Sequence, residues 1–304
     1  MILPIFLTFS GLALLLFGLK TLRNGLEKFA GSNFQQTLMK LTSTLGKGFL
    51  TGIVATGLLQ SSTALTLMAV SFVDAQIISF RNALGLILGS NIGTTITPQI
   101  LAFPIKEIAL WLILNGLLGY VILKGQKRYL FSALAGLGVM LLSLSILESA
   151  MIPLSELPQV QSWLQQIGNN NFFAVLVGTV LSALLHSSSA TTGIAMVLTQ
   201  EGWITLPTAL ALLFGANIGT CFTALIVSFF TSRAAQRVAI FHVLINIFGV
   251  IIFYPFLDQI ANLLTLLGGS LSRQVANAHT IFNVVSALIA LPLLPSVIRL
   301  LEKY

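Results

Sequence analysis

Charge is scarce in this sequence. Asp, Glu, Lys and Arg together make up only 8% of its 304 residues, against about 25% in a soluble domain. A chain so poor in charge cannot clothe a water-facing surface, which excludes an ordinary soluble domain. Cysteine is scarcer still. Cys221 stands alone, so an internal disulfide and a cysteine metal cluster are both excluded. The first apolar segment, residues 2–19, has neither a basic leader nor a clear small-residue cleavage site; it is expected to be a retained span and not a signal peptide.

What is present is apolar. The chain is 56% hydrophobic with a mean hydropathy of +0.97, and apolar stretches of about 17–25 residues recur, as bilayer-crossing helices require. The expected class is an all-α polytopic membrane protein.

One unit is written twice. "GLALLLFGL" (11–19) aligns with "GLGVMLLSL" (136–144) at an offset of 125. "TGIVATGLLQSSTALT" (51–66) aligns with "VGTVLSALLHSSSATT" (177–192), and "ALGLILGSNIGTTIT" (83–97) with "ALALLFGANIGTCFT" (209–223), both at 126. "ILNGLLG" (113–119) more loosely resembles "LINIFGV" (244–250), which pairs Trp111 and Asn115 with His242 and Asn246. The chain divides into repeat one, 1–125, and repeat two, 126–304, the second with an extra C-terminal helix at 275–298. Each repeat is expected to hold an opening helix (2–19; 130–147) and a re-entrant helical hairpin around a Ser/Thr cluster (48–73; 172–200). A helix broken at Asn91–Thr95 or Asn217–Cys221 (82–103; 205–230) and a closing helix (107–123; 236–254) complete it.

A hairpin that dips in and returns leaves three crossings per repeat, so the second copy is expected upside down, an inverted-topology repeat. With residues 20–47 cytoplasmic, thirteen of the fifteen basic residues fall inside, and only Lys106 and Arg273 fall outside. The segment 148–170, with Glu148 and Glu156, also lands outside. This satisfies the positive-inside rule, and it accounts for the net charge of +7 without a nucleic-acid partner. The C-terminus is expected in the cytoplasm, the protein in the cell (inner) membrane, and residues 20–47 as a helix pair lying on the membrane surface.

An unpaired hydroxyl or amide in hydrocarbon costs roughly 2–7 kcal/mol, so the polar runs need a purpose. Inverted repeats with discontinuous helices place half-helix N-termini and hydroxyls at a mid-membrane site in many secondary transporters. Neither hairpin tip nor either expected break contains Lys, Arg, Asp or Glu. Neutral donors at helix N-termini suit a small oxyanion, and bound Na⁺ would supply the compensating charge. His186 beside Ser187 does not make a hydrolase, because no carboxylate nearby in sequence can orient the imidazole. The pairs His242/Asn246 and His279/Asn283 lie four apart on one helix face each, a spacing suited to interhelical hydrogen bonds.

"QSST", "HSSSATT", "GSNIGTTIT" and "GANIGTCFT" resemble the duplicated signatures of the type II sodium–phosphate cotransporters, and "FHVLIN" (241–246) and "AHTIFN" (278–283) are similar to that family too. The resemblance spans essentially the whole chain. It implies Na⁺-driven uptake of inorganic phosphate by alternating access, with no cofactor, no transition metal and no catalysis. It implies phosphate contacts at Ser61, Ser62, Ser187 and Ser188, with Asn91 and Asn217 bordering the site. Gln60, Thr220 and Thr223 would lie on sodium sites, with Thr63, Thr94 and Ser189 beside them. His186 stands there where the family usually has glutamine, Thr63 replaces a third serine, and Ala216 and Cys221 replace the counterparts of Ser90 and Thr95. With no aspartate near the expected breaks, the transport cycle is expected to be electroneutral. Two rival readings keep the same fold: a dipole-lined anion channel, and a symporter for another oxyanion such as sulfate or arsenate.

Overall fold

The computed structural model describes residues 2–31, 33–103, 108–154 and 157–303. Lys106 and Glu156 lie outside the described residues, so their place in the charge count has no structural counterpart. Among the described residues every regular element is helical. The first half of the chain holds α1 (Ile2–Ala30), α2 (Phe34–Leu41), α3 (Leu45–Leu59), α4 (Ser62–Asp74), α5 (Phe80–Thr94), α6 (Ile96–Leu101) and α7 (Ala109–Ile122). The second holds α8 (Lys127–Leu154), α9 (Pro158–Asn169), α10 (Asn171–Leu185), α11 (Ser188–Gln200), α12 (Leu206–Ser228), α13 (Arg233–Phe253), α14 (Leu257–Leu267) and α15 (Leu271–Lys303).

Among the described residues, five helical stretches are long and apolar enough to cross a bilayer: Leu3–Ala30, Lys127–Ala150, Leu206–Ser228, Arg233–Leu267 and Leu271–Leu301. A sixth candidate is the pair α9 and α10, bent by 113° at Asn170, whose side chain caps α10 by accepting from the Phe173 N–H. Large apolar side chains such as Val121, Leu184 and Phe230 stand exposed. The molecule is a multi-pass membrane protein.

Small residues set the helix packing, as they do where lipid removes the hydrophobic drive between helices. A Cβ at Gly18 of α1 would come within 2.6 Å of the Met140 backbone N on α8, and one at Gly25 within 2.6 Å of Ala133 N. On α5 and α12, Gly89 and Gly215 sit against the Phe49 and Val175 carbonyls, and Gly219 against that of Thr179. The helix pairs α3/α5 and α10/α12 are therefore in backbone contact.

The expected break within Asn91–Thr95 is present at Thr95, whereas the expected break at Asn217–Cys221 is corrected. Gly89, Gly93, Gly215 and Gly219 keep ordinary negative φ; they are seats for a neighbouring helix, not points of fracture. α12 runs unbroken through Asn217–Cys221. In the first half the helix pauses only at Thr95, between α5 and α6, and Pro98 is the reason. Proline has no N–H to give the Thr94 carbonyl four residues back, and its ring crowds that carbonyl. Ala224 stands at the corresponding place in α12, and there the helix continues.

The first helix is also longer than expected. α1 continues past residue 19 to Ala30, which puts Lys20, Arg23 and Lys28 on the first helix itself instead of on a separate surface helix. The expected surface helix pair over 20–47 is reduced to the eight-residue α2. The helices α9 and α14 have no counterpart in the expected element order. Two apolar cores form, one centred on α8, α11 and α12, the other on α4, α5 and the first half of α13. α13 and α15 contribute to both and carry the polar residues where the cores meet.

Candidate functional site

Both Ser/Thr runs fold into a helix–turn–helix unit with the same two-residue tip. α3 ends when Gln60 adopts the left-handed conformation at φ 55°, and α10 when His186 does so at φ 50°; such a residue is a common helix stop. The next residue in each restarts a helix. Ser61 Oγ accepts from the Ala64 N–H at 3.2 Å, and Ser187 Oγ from the Ala190 N–H at 3.2 Å, as N-cap serines do. Ser62 and Ser188 are thus the first residues of α4 and α11, at helix ends that carry about half a positive charge each.

These two serines meet in one small chamber lined by Ser62, Asn91, Thr94, Ser188, Asn217, Thr220, His242 and Asn246. Six of the eight form three pairs, Ser62 with Ser188, Asn91 with Asn217 and Thr94 with Thr220, each separated by the offset of 126 already met in the sequence. The cavity is about 10 Å³, room for roughly one water. A tetrahedral oxyanion enters only if the walls part.

The two asparagines are held by duplicated clamps. His242 Nε2 bonds Asn91 Oδ1 at 3.0 Å, and Asn91 Nδ2 lies 3.5 Å from Asn246 Oδ1. Asn246 Nδ2 donates to the His242 carbonyl at 2.8 Å. That last bond orients both amides and makes Nε2 the protonated ring nitrogen of His242. His279 Nε2 and Asn283 Nδ2 approach Asn217 Oδ1 at 3.1 and 3.4 Å, while Asn217 Nδ2 donates to the Leu213 carbonyl at 2.9 Å. The remaining ring nitrogen of each histidine, Nδ1, is buried without a hydrogen-bond partner among the described residues. His279/Asn283 thus does for Asn217 what His242/Asn246 does for Asn91, whereas Trp111, aligned with His242 in the sequence, is exposed.

Other expected residues lie around the chamber, outside its lining. Gln60 Oε1 accepts from Thr97 Oγ1, and its Nε2 donates to the Gly57 carbonyl. His186 Nδ1 meets Thr223 Oγ1 at 2.8 Å. Thr97 is the offset partner of Thr223, so each tip is tied to the helix behind it by an equivalent pair. Ser61 and Ser187 serve as caps; Thr63 is half-buried on α4 and Ser189 buried on α11. Thr220 accepts from or donates to Ser182 at 2.9 Å, whereas Thr56 in the other half donates to Ser90 at 2.9 Å. The difference follows from Ala216, which offers no hydroxyl where Ser90 does.

Sequence reasoning missed two participants. Thr97 was legible from its alignment with Thr223. The interhelical hydrogen bonds expected of His242/Asn246 and His279/Asn283 are present, and their partners are the chamber asparagines Asn91 and Asn217. The second missed participant corrects the expectation of a site without charge: Arg23 Nε donates to the Gln60 carbonyl at 2.7 Å, and its Nη2 to Ser187 Oγ at 3.1 Å. A guanidinium from α1 thus bridges the two tips.

The fold and site define a multi-pass membrane protein with a duplicated polar chamber at its centre. The Na⁺/Pi-cotransporter family model matches residues 14–149 and 154–272, and the chain belongs to that family. Among curated proteins it is 35% identical over 275 residues to "Uncharacterized protein YqeW" of Bacillus subtilis (strain 168), covering 90% of this chain and 89% of that one. It is 30% identical over 259 residues to "Putative inorganic phosphate export protein YjbB" of Salmonella typhimurium, covering 84% of this chain but 47% of that protein. It is 30% identical over 105 residues to "Sodium-dependent phosphate transport protein 2A" of Oryctolagus cuniculus, covering 33% of this chain and 16% of that one. The chain thus spans about half of the Salmonella relative and a much smaller part of the rabbit one. No solved structure gives a significant match.

Proposed function

We propose that this protein is a secondary active transporter that couples sodium entry to uptake of inorganic phosphate by alternating access. The observation that carries the reading is the chamber in which Ser62, Asn91 and Thr94 face Ser188, Asn217 and Thr220. Two helix N-termini converge there, and convergent N-termini with hydroxyl and amide donors favour a small oxyanion. The division into repeats 1–125 and 126–304, the second inverted, gives such a chamber one wall from each repeat. A cavity closed to about one water fits a protein that must open to one side at a time. Residues 20–47 and the C-terminus lie on the cytoplasmic side of the inner membrane in this reading.

Phosphate is held by Ser62 and Ser188, with Asn91 and Asn217 at its border and the caps Ser61 and Ser187 supporting it. Gln60, His186, Thr63, Thr94, Ser189, Thr220 and Thr223 supply oxygen and nitrogen ligands for Na⁺, whose charge offsets that of the anion.

Purified protein in proteoliposomes tests the proposal. Phosphate uptake should saturate with concentration, rise with an inward Na⁺ gradient, and fall to background when K⁺ replaces Na⁺. Uptake indifferent to the cation refutes the coupling, and flux that does not saturate favours the channel. The export named for the Salmonella relative supports a second reading, phosphate efflux. Vesicles loaded with phosphate and given the same Na⁺ gradient separate the two: the symporter retains phosphate, the exporter releases it.

A further inference from the structure

Arg23 sits on α1 seven residues before the helix ends at Ala30, about 10 Å along the axis from that end. It is half-buried, and its two hydrogen bonds go to neutral oxygens, the Gln60 carbonyl and Ser187 Oγ. No carboxylate is bonded to it among the described residues. A shielded cation without a counter-ion is unfavourable, and the tips it touches carry the serines read as anion ligands. A guanidinium has five N–H donors; two are engaged, and three remain.

The register between the halves sharpens the point. The alignment of 11–19 with 136–144, carried on by four residues, sets Glu148 opposite Arg23. The two halves present charges of opposite sign at the same position, so the guanidinium has no equivalent on the second half. Ser188, read as an anion ligand, directly follows the Ser187 whose hydroxyl the guanidinium holds.

We infer that Arg23 is a specificity-determining residue of the site: it joins the two tips and presents its remaining donors to the bound oxyanion, selecting a doubly charged tetrahedral anion over a singly charged one. The inference rests on the oxyanion reading above. It does not require sodium coupling. A fork of parallel donors matches two oxygens of such an anion, and its charge supplies one of the positive charges the chamber itself lacks.

The test reads binding, not flux. Binding of phosphate, sulfate and the monovalent tetrahedral anion perchlorate is measured on the full chain in detergent with Na⁺ present, for wild type, Arg23→Gln and Arg23→Lys. Arg23→Gln should weaken phosphate about ten- to a hundredfold, the loss of a charge-assisted bond, and narrow the preference for phosphate over perchlorate. Arg23→Lys, with charge but no fork, should fall between. If Arg23→Gln does not fold, Arg23→Lys against wild type decides, and equal affinities overturn the inference. Unchanged affinity and selectivity in a folded Arg23→Gln overturn it while leaving the phosphate reading standing. Wild type that binds sulfate but not phosphate, with sulfate binding lost in Arg23→Gln, upholds Arg23 and refutes phosphate. Wild type that binds no oxyanion overturns both.

Discussion

His242 Nε2 lies 3.0 Å from Asn91 Oδ1, joining α13 to α5 across the centre of the molecule. His279 repeats the bond to Asn217 at 3.1 Å, joining α15 to α12. Each asparagine that borders the chamber is thus held by an imidazole from a helix that spans both apolar cores.

Removing either clamp should loosen its asparagine. His242→Ala and His279→Ala each leave a buried amide oxygen short of a donor, an omission worth about 1–3 kcal/mol. Both variants should melt earlier in detergent and bind phosphate more weakly. An unchanged melting temperature with full affinity would show that the clamp is idle.

The two serines of each tip should separate by function. Ser61→Ala and Ser187→Ala remove helix caps and should cost about 1 kcal/mol of stability each. Ser62→Ala and Ser188→Ala remove hydroxyls from the chamber wall and should lower phosphate affinity about tenfold or more with a smaller change in melting. Equal effects on binding from caps and wall serines would contradict the assignment.

Glycines at helix seams should be intolerant, and exposed ones should not. Gly89→Ala and Gly215→Ala drive a methyl into the Phe49 and Val175 carbonyls, an overpacking that costs about 1–3 kcal/mol or more. A methyl at Gly168 of α9 would meet nothing within 4 Å, so Gly168→Ala should be neutral or stabilise by up to about 1 kcal/mol from helix propensity alone. Thermal melting of the three variants checks the contrast.

Asp74 at the end of α4 accepts a 2.7 Å bond from the Ser232 N–H at the start of α13. That bond holds its carboxyl below the ordinary carboxylate value. A folded value below the unfolded one means stability is fully present above the unfolded value and is lost as pH falls towards the folded one. Melting of the wild type should therefore drop more steeply on acidification than that of Asp74→Asn. Parallel curves would remove Asp74 from the acid response.

Much of the chamber was legible because polar residues in an apolar chain have few reasons to exist. Ser62, Ser188, Asn91 and Asn217 announced themselves by type and by their constant offset, and the tips fell where the Ser/Thr runs stood. The break at Thr95 falls where it was expected, but the one at Asn217–Cys221 was misread because glycine has two uses and its sequence neighbours do not say which applies; Pro98 against Ala224 was the better signal. Arg23 escaped notice for a physical reason. A basic residue beyond an apolar run reads as a charge on a separate surface helix, yet α1 continues far enough to carry it to the tips. The pairing of His279 with Asn217 depends on how α15 packs, which no local pattern encodes.

At Gly215 and Gly219 the main chain of α12 sits directly against that of α10, and at Gly89 that of α5 against α3. Such close seams leave little room for one helix to slide along the other, so each couple is built to move as a unit. Opening of the chamber would then fall around these units, where Arg23 bridges the two tips and the imidazoles tie α5 to α13 and α12 to α15.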